Sequence, residues 1–511
     1  MPILRFFRTF LIRTTALIAA YIVAVLGITA VIPPPDAVGM DSEARSVEDV
    51  SFLADTSWID DSGNRHLKQR IFDEVFSLIE EAHQFLLIDM FLFNDWQGPA
   101  AETHRGLSSE LTEALVARKQ QDPTLPIVFI TDPVNSIYRG LDSSHLIILR
   151  NAGILVVESD LSKLQDSNPL YSGLWRTLIK PFGNVRADTV KNPLGDGRVS
   201  LRSVLTMANF KANHRKLIIA GRKSGSNKAI VMSANPHDGS SAHRNVALSF
   251  TGSAVNDLLQ SELALLTLSA EYNDQQTVDK MVTQLRTLTG LVLIDQAVKV
   301  VRVNSESSDG AADQAIVQVL TESRIRDRII QTLDTAGEGA NVDLLMFYLS
   351  DRGIIAAMKG AQKRGANLRV LLDVNKDAFG RTKNGVPNRP VATELEAAGI
   401  SVKWCATKGE QCHAKMLLWS GVGDEPRYGL LLGSGNYTRR NLQDFNLETN
   451  VLLEAAFDHE AIVEARQYFV DQWQNDTPGR NYSYNYEEYS DTSWRLKLEY
   501  RLREASGFGT F

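Results

Sequence analysis

The fold of this chain can be read from Asn213-His214-Arg215-Lys216 and Cys412-His413-Ala414-Lys415, two versions of one pattern. The first is followed by Ser233-Ala234-Asn235 and the second by Gly433-Ser434-Gly435-Asn436, 21 and 23 residues from the histidine to the second Asn. Residues two apart on a strand project from the same face, so each His-x-Lys pair should point into one pocket. The pattern predicts two half-sites that meet around a single pocket.

The sequence around these segments also repeats, at long period. An amphipathic helix and an apolar strand within 70–95 have counterparts within 324–351. A second helix and a strand that ends in Asp follow at 107–132 and again at 354–373. Strands that alternate with helices predict an α/β fold. We expect two repeats, each a helix-covered β-sheet, packed with pseudo-two-fold symmetry.

The 511 residues exceed the size of one ordinary core, so several units are expected. The predicted units are a membrane anchor (1–36), a first half (45–275) with an insertion at about 160–207, a second half (300–475) and a Tyr-rich C-terminal tail (476–511). The polar run 304–312 lies near the predicted junction of the halves. The insertion is apolar and aromatic with flanking basic residues, so it lies on a membrane surface, covers the active site or packs on its own domain.

An uncharged run of 19 residues, Thr14–Ile32, predicts a membrane-spanning helix about 28 Å long. Three arginines precede it, so the positive-inside rule places the N-terminus in the cytoplasm. The catalytic part would then lie on the outer, periplasmic side of a bacterial inner membrane. A cleaved signal peptide is the alternative, although Ile28-Thr29-Ala30 fits the small-residue cleavage rule poorly.

The net charge and the two cysteines limit the kinds of partner and metal ion that the protein is expected to bind. The net charge is −7, whereas proteins that mainly bind nucleic acid usually have a basic surface, so we expect no nucleic-acid partner. The sequence leaves the oligomeric state open. The two cysteines, Cys405 and Cys412, are either a disulfide outside the cytoplasm or two buried thiols. With one neighbouring His and no fourth ligand they make a poor metal site.

Two histidines, two lysines and two asparagines around one pocket suit the cleavage of a phosphodiester. One of His214 and His413 would attack phosphorus, and the other would donate a proton to the leaving alcohol. Lys216 and Lys415 would stabilise the charge on the nonbridging oxygens. The residues predicted to bind the substrate phosphate are Asn235, Asn436, Ser233 and Ser434. This chemistry requires no metal or other cofactor.

A third His-x-Lys triplet serves as an internal control. His66-Leu67-Lys68 is predicted to begin a helix, where residues two apart do not share a face, and no Ser-x-Asn follows it. The remaining histidines near the motifs, such as His237 and His243, lack this context and are expected to be ordinary.

The duplicated pattern resembles the phospholipase D superfamily, whose two His-x-Lys-x4-Asp motifs are each followed by Gly-Ser-x-Asn. The resemblance covers most of residues 45–475 and is fullest in the second copy, which continues to Glu448. It implies that Glu448 orients a catalytic histidine. It also implies that His214 is the nucleophile and His413 the acid, an order that the residues themselves leave open.

Both copies depart from the superfamily pattern. Gly221 and Ser420 stand where the motif aspartates would be, and Ala247 stands where the first copy would carry its glutamate. The resemblance implies a structural role for the motif aspartate, so activity is still expected.

The predicted membrane anchor and the negative net charge favour a phospholipid substrate. We predict a membrane-anchored enzyme, similar to bacterial cardiolipin synthases, that works through a phosphohistidine. It would transfer a phosphatidyl group to an alcohol or, as a phospholipase D does, to water. The alternatives are an anchored nuclease of the same superfamily and a degenerate lipid-binding scaffold.

Overall fold

The computed structural model describes residues 2–31, 35, 38–98, 104–291, 314–378, 381–423 and 427–509. The run 304–312, predicted near the junction of the halves, lies outside the described residues. Within them, helices and strands alternate around one large sheet, and the predicted α/β class is confirmed.

The strands of the first half precede residue 253, and those of the second half begin at residue 316. In chain order they are β1 (Arg45–Ile59), β2 (Arg65–Lys68), β3 (Ala82–Met90), β4 (Ile127–Thr131), β5 (Leu155–Glu158), β6 (Val190–Lys191), β7 (Arg198–Val199), β8 (Lys216–Arg222), β9 (Asn227–Met232), β10 (Asn245–Gly252), β11 (Ile316–Thr321), β12 (Asn341–Met346), β13 (Asn367–Leu372), β14 (Asp377–Ala378), β15 (Arg381–Thr382), β16 (Ser401–Cys405), β17 (Lys415–Ser420), β18 (Tyr428–Gly433), β19 (Thr449–Ala455) and β20 (Ser483–Asn485).

The two halves have the same strand order. The first runs β1-β10-β9-β8-β3-β4-β5 and the second β11-β19-β18-β17-β12-β13-β16, and β1 pairs antiparallel with β11 to make one continuous sheet. The tail adds β20 beyond β16, and β2 pairs with β1. Equivalent strands therefore lie at equivalent distances from the β1–β11 seam.

Helices cover both faces of the sheet. In chain order they are α1 (Pro2–Val31), α2 (Ile71–Glu81), α3 (Leu107–Gln121), α4 (Ser144–Asn151), α5 (Pro169–Leu174), α6 (Leu201–Met207), α7 (Ala254–Ser269), α8 (Gln275–Thr289), α9 (Ser323–Thr335), α10 (Arg352–Lys363), α11 (Asn388–Glu396), α12 (Arg439–Leu442), α13 (Glu460–Gln474) and α14 (Trp494–Ser506).

Alternation along the strands explains this two-faced packing. In β3, Phe85 and Leu87 join a core shared by both halves, whereas Leu86 and Ile88 join the outer core of the first half. Such near-continuous apolar runs are typical of strands that are covered on both faces. The shared core holds α7, α8 and α13, so a large apolar contact unites the halves.

The N-terminal helix α1 is long and apolar enough over Phe6–Val25 to cross a membrane, and this stretch is largely exposed. It contacts the rest of the protein chiefly at α5, within the predicted insertion. The insertion also contains α6 and the short hairpin of β6 and β7.

Candidate active site

The two His-x-Lys segments lie beside loops of the opposite half. The His214 N–H donates to the carbonyl of Leu447 at 2.8 Å, and the His413 N–H donates to the carbonyl of Arg244 at 2.9 Å. Each histidine also stands two residues before its strand, β8 or β17, rather than within it. These crossed backbone contacts build one site from both halves.

A buried aspartate holds each His-x-Lys segment by accepting a backbone N–H. Asp132, which follows β4, accepts the N–H of Asn213 at 2.7 Å, and Asp373, which follows β13, accepts the N–H of Cys412 at 2.8 Å. Burial raises the pKa of Asp132 to about 7 and that of Asp373 to about 6. The strands that the sequence predicted to end in Asp thus position the residue before each histidine.

Glu448 of the second half contacts His214 of the first. The histidine Nδ1 lies 2.9 Å from Glu448 Oε2, which also accepts the Ser434 hydroxyl at 2.5 Å. The other carboxylate oxygen accepts the side-chain amide of Asn441. Although burial alone would raise it, His214 and Lys216 lower the pKa of Glu448. A carboxylate at Nδ1 fixes the tautomer and leaves the Nε2 lone pair for the substrate.

Burial lowers the pKa of His214 to about 4, against the opposing effect of Glu448. The imidazole is therefore neutral at pH 7, as a nucleophile must be.

Asn245 of the first half occupies the matching place beside His413. Its Oδ1 lies 3.1 Å from His413 Nδ1 and accepts the Ser233 hydroxyl at 3.0 Å. Burial, with Lys415 nearby, lowers the pKa of His413 well below its usual value. The two histidines thus share a geometry but differ in the charge of the side chain at Nδ1.

The alignment that places Ala247 at the position equivalent to Glu448 is wrong. Ser233 donates its N–H to the carbonyl of Val246, and Ser434 donates its N–H to that of Thr449. Asn245 precedes Val246 and Glu448 precedes Thr449, so Asn245 is the residue equivalent to Glu448. The first copy is two residues shorter between the serine and this position, which could have been found by aligning the strands instead of counting from the asparagine.

Lys216 and Lys415, the lysines of the two triplets, are fully buried. Lys216 Nζ donates to the carbonyl of His214, and Lys415 Nζ donates to that of His413, each at 2.5 Å. Burial lowers the pKa of Lys216 to about 7, and burial together with the charge of Lys216 lowers the pKa of Lys415 well below its normal value. An ammonium has three N–H donors and a neutral amine has two, so in either form each lysine keeps at least one N–H group for a phosphate oxygen.

Two phenylalanines that were not singled out in the sequence line the site. The Phe91 ring lies 4.7 Å from the His214 ring and 4.9 Å from Lys216 Nζ. The Phe347 ring lies 4.8 Å from the His413 ring and 5.1 Å from Lys415 Nζ. Each follows the last Met of its strand, β3 or β12, so the Met-Phe pair common to both copies was a usable signal.

The predicted phosphate-binding residues divide into two kinds. Asn235 accepts the Leu92 N–H through Oδ1 at 3.3 Å, which leaves its NH₂ group for a ligand. The buried Oδ1 of Asn436 has no hydrogen-bond partner among the described residues. By contrast, the hydroxyls of Ser233 and Ser434 donate to Asn245 and Glu448 and accept backbone N–H groups. The serines are therefore placed to orient those side chains rather than to hold phosphate.

Two other histidines differ from expectation. The ring of His243 lies 5.7 Å from that of His413, so it borders the site despite its lack of motif context. His66 lies on β2 rather than at the start of a helix, and its Nε2 pairs with Asp60 at the surface. The internal control thus lies apart from the catalytic groups, although the predicted reason was wrong.

Cys405 and Cys412 form a disulfide that closes the loop leading to His413.

A Cβ added at Gly221 would lie 2.7 Å from the Phe85 ring, so the first copy has no room for the motif aspartate. Within the described residues no group of three or more His, Cys, Asp or Glu side chains is placed to hold a metal ion.

Residues 329–473 match the family described as "Cardiolipin synthase, PLD-like domain". No curated protein matches the sequence significantly.

Among solved structures, a phosphatidylserine synthase from Haemophilus influenzae Rd KW20 is similar over 91% of this chain and 94% of its own, at 10% identity and a TM-score of 0.52. A polyphosphate kinase from Porphyromonas gingivalis covers 90% of this chain and 53% of its own, at 12% identity and a TM-score of 0.42. The phospholipase D family member Nuc from Salmonella typhimurium covers 34% of this chain and 99% of its own, at 17% identity and a TM-score of 0.26.

The likeness to the phosphatidylserine synthase shows that the fold extends through nearly the whole chain. The domain match falls on the half that contains His413 and Glu448. The resemblance to the phospholipase D superfamily is therefore confirmed by the phospholipase D-like domain in the second half. The likeness to the phosphatidylserine synthase shows a shared fold.

Proposed function

We propose that this protein is a membrane-anchored enzyme that cleaves phospholipid phosphodiesters through a phosphohistidine at His214. The observation that carries the proposal is the crossed pairing of the two histidines, His214 with Glu448 and His413 with Asn245. In each pair the partner occupies Nδ1, which leaves Nε2 for a substrate, and the lysine two residues on donates to the carbonyl of the same histidine.

In the first step the Nε2 lone pair of His214 attacks phosphorus, and the bond from phosphorus to the leaving alkoxide breaks. His413, protonated when the anionic substrate is bound, gives its Nε2 proton to that oxygen. The positive charge that develops on His214 is stabilised by Glu448. Lys216 and Lys415 donate to the nonbridging oxygens, where negative charge concentrates.

In the second step an acceptor hydroxyl attacks the phosphohistidine. The neutral His413 now removes the acceptor proton, the N–P bond breaks, and both histidines return to their starting states. An alcohol as acceptor gives a new phosphatidyl ester, whereas water gives phosphatidic acid. The same site therefore supports a transferase or a hydrolase, depending on which acceptor reaches it.

Three observations support a lipid substrate. The apolar stretch Phe6–Val25 is mostly exposed, as expected for a helix that enters a bilayer. The matched family is named for cardiolipin synthase, and the structural neighbour is a phosphatidylserine synthase. The disulfide of Cys405 and Cys412 suits an oxidising compartment, which agrees with a catalytic part on the periplasmic side. The proposed partners are thus the membrane and its phospholipids.

The test uses the full chain in lipid nanodiscs with phosphatidylglycerol labelled in its acyl chains, with and without an added short alcohol. Products are separated and identified by mass spectrometry. His214→Ala is the inactive variant, and His66→Ala, in the surface His-x-Lys triplet, is the matched control.

Cardiolipin or a phosphatidyl-alcohol would support the transferase, and phosphatidic acid alone would support the hydrolase. No lipid turnover together with cleavage of DNA would replace this proposal with the nuclease alternative. No turnover of either substrate would favour the lipid-binding scaffold. Activity that survives His214→Ala would refute the assigned nucleophile.

A further inference from the structure

The insertion carries an apolar stripe that the rest of the described chain leaves exposed. Helix α5 continues as a π-turn over Trp175–Ile179, and we name residues 169–179 the insertion helix. Leu170, Leu174 and Leu178 recur every four residues along it and are 44%, 38% and 63% exposed. Residues at this spacing lie on one face of a helix. Three leucines on one solvent-facing stripe indicate a partner.

A neighbouring face of the insertion helix contacts α1. A Cβ built at Gly173 would lie 2.7 Å from Val25 Cγ1 and 3.0 Å from the Tyr21 hydroxyl, so the two helices touch where Gly173 leaves room. Gly173 itself is buried. The contact falls at the C-terminal end of the apolar stretch Phe6–Val25.

This contact indicates the depth of the insertion helix in a bilayer. If Phe6–Val25 spans the hydrocarbon region, Val25 lies near its boundary with the headgroups. Gly173 touches Val25, so the adjacent part of the leucine stripe, Leu170 and Leu174, lies close to the same depth. Phe182, which follows the insertion helix and is 68% exposed, extends the apolar surface.

The charge around the stripe suits anionic lipid. Between residues 169 and 207 the chain has six basic residues and only two acidic ones, in a protein whose net charge is −7. Of the basic residues, Arg176 pairs with Asp166 and Arg186 pairs with Asp142. The other four are Lys180, Lys191, Arg198 and Arg202. Basic side chains next to an apolar helix face are characteristic of segments that lie in the membrane interface.

We propose that the leucine stripe and Phe182 insert into the headgroup region of the same anionic bilayer that α1 enters. The occupant of this surface is lipid, not a second protein. The inference rests on the membrane anchoring of α1 included in the proposed function, but not on the catalytic chemistry. It gives the catalytic part a second attachment, which limits its rotation about the end of α1.

The test places a single environment-sensitive fluorophore on the full chain. Both native cysteines are in the disulfide, so an introduced cysteine is the one reactive thiol. Leu178→Cys and Phe182→Cys report on the surface. Leu17→Cys, in the apolar stretch of α1 and 72% exposed, is the positive control. Phe457→Cys is the negative control, because this 62% exposed residue follows β19 at the end opposite Glu448.

Each labelled protein is reconstituted into vesicles of phosphatidylcholine and phosphatidylglycerol, with and without lipids that carry a spin-label quencher at a shallow acyl position. We expect blue-shifted emission and at least a twofold loss of intensity for labels at 178 and 182, and neither effect at 457. The label at 17 should be quenched in every preparation.

Quenching at 17 without quenching at 178 and 182 would overturn the proposal while leaving the anchor intact. Blue-shifted but unquenched labels at 178 and 182 would show that protein covers the stripe, which also overturns it. If the label at 17 is unquenched, the anchor fails and the proposal falls with it. The activity assay on phosphatidylglycerol is independent of all three outcomes.

Discussion

The first-half and second-half histidines occupy equivalent places but have unequal neighbours. His214 faces the carboxylate of Glu448, whereas His413 faces the amide of Asn245. A carboxylate stabilises the positive charge that a histidine acquires when it becomes bonded to phosphorus. A neutral amide orients the ring but leaves it a stronger acid. The difference of one charge therefore favours His214 as nucleophile and His413 as proton donor.

The central residue of each His-x-Lys triplet extends this asymmetry. Arg215 is fully buried and pairs with Glu262 and Glu322, each at 2.8 Å. Glu322 in turn accepts the backbone N–H of Glu448 at 3.0 Å. The second half has the apolar Ala414 in the place of Arg215. On the Glu448 side of the site, a buried network of ion pairs thus crosses between the halves and supports the backbone of Glu448.

Removing each histidine should give the largest effects and the clearest separation of roles. His214→Ala should lower turnover by about 10⁴-fold or more with any leaving group, since no nucleophile remains. His413→Ala should cost about 10²- to 10⁴-fold with an alkyl ester, whose alkoxide needs a proton. With a p-nitrophenyl diester, whose leaving group needs none, the loss should fall below about 10-fold.

The measurement is kcat/KM for both substrates with each variant. If His214→Ala, and not His413→Ala, were rescued by the p-nitrophenyl leaving group, the roles assigned to the two halves would be reversed.

Exchanging the neighbours tests the comparison directly. Glu448→Gln should lower kcat by about 10²- to 10⁴-fold, because a neutral partner no longer stabilises the charged form of His214. Asn245→Asp should raise the pKa of His413, since a negative charge beside Nδ1 favours the imidazolium. The acid must be protonated to act, so the basic limb of the kcat/KM profile should move to higher pH.

Asn245→Ala is the control for the second exchange. It should reduce activity by about 10-fold through loss of orientation, without the upward shift of the basic limb. A basic limb that stays in place with Asn245→Asp would mean that His413 is not the proton donor.

The sequence predicted the parts of this site that depend on local pattern. Apolar periodicity located α2 and β3, and the duplicated triplets identified His214 and His413. Contacts across the halves could not be read in the same way. Asn245 was missed because two residues of loop length displaced it from the aligned position. The chain distance from Glu448 to His214 likewise hid the fact that the carboxylate of one half serves the histidine of the other.

The cross-half network predicts a difference in stability. Arg215→Ala should lower the free energy of unfolding by about 3–5 kcal/mol, because Glu262 and Glu322 would be left buried without their cation. Equilibrium denaturation in urea, followed by tryptophan fluorescence, measures the change. Arg324→Ala removes an exposed ion pair with Asp327 and should cost less than about 1 kcal/mol. Equal effects of the two substitutions would show that the network adds no more than a surface pair.

The residue before each histidine gives the smallest predicted effect. Asn213 is held by its amide, which donates to Asp89 at 2.8 Å and to Ser159 at 2.9 Å, whereas Cys412 is held by its disulfide to Cys405. Closing a loop this short stabilises the folded state by about 2–3 kcal/mol. A double Cys→Ser variant should lose about that much in urea denaturation, and reductant should destabilise the native protein but not the variant. Since Asp373 still accepts the backbone N–H at 412, the loop should keep its course, and kcat should fall less than with Glu448→Gln. A larger fall in kcat would mean that the disulfide, and not the aspartate, positions His413.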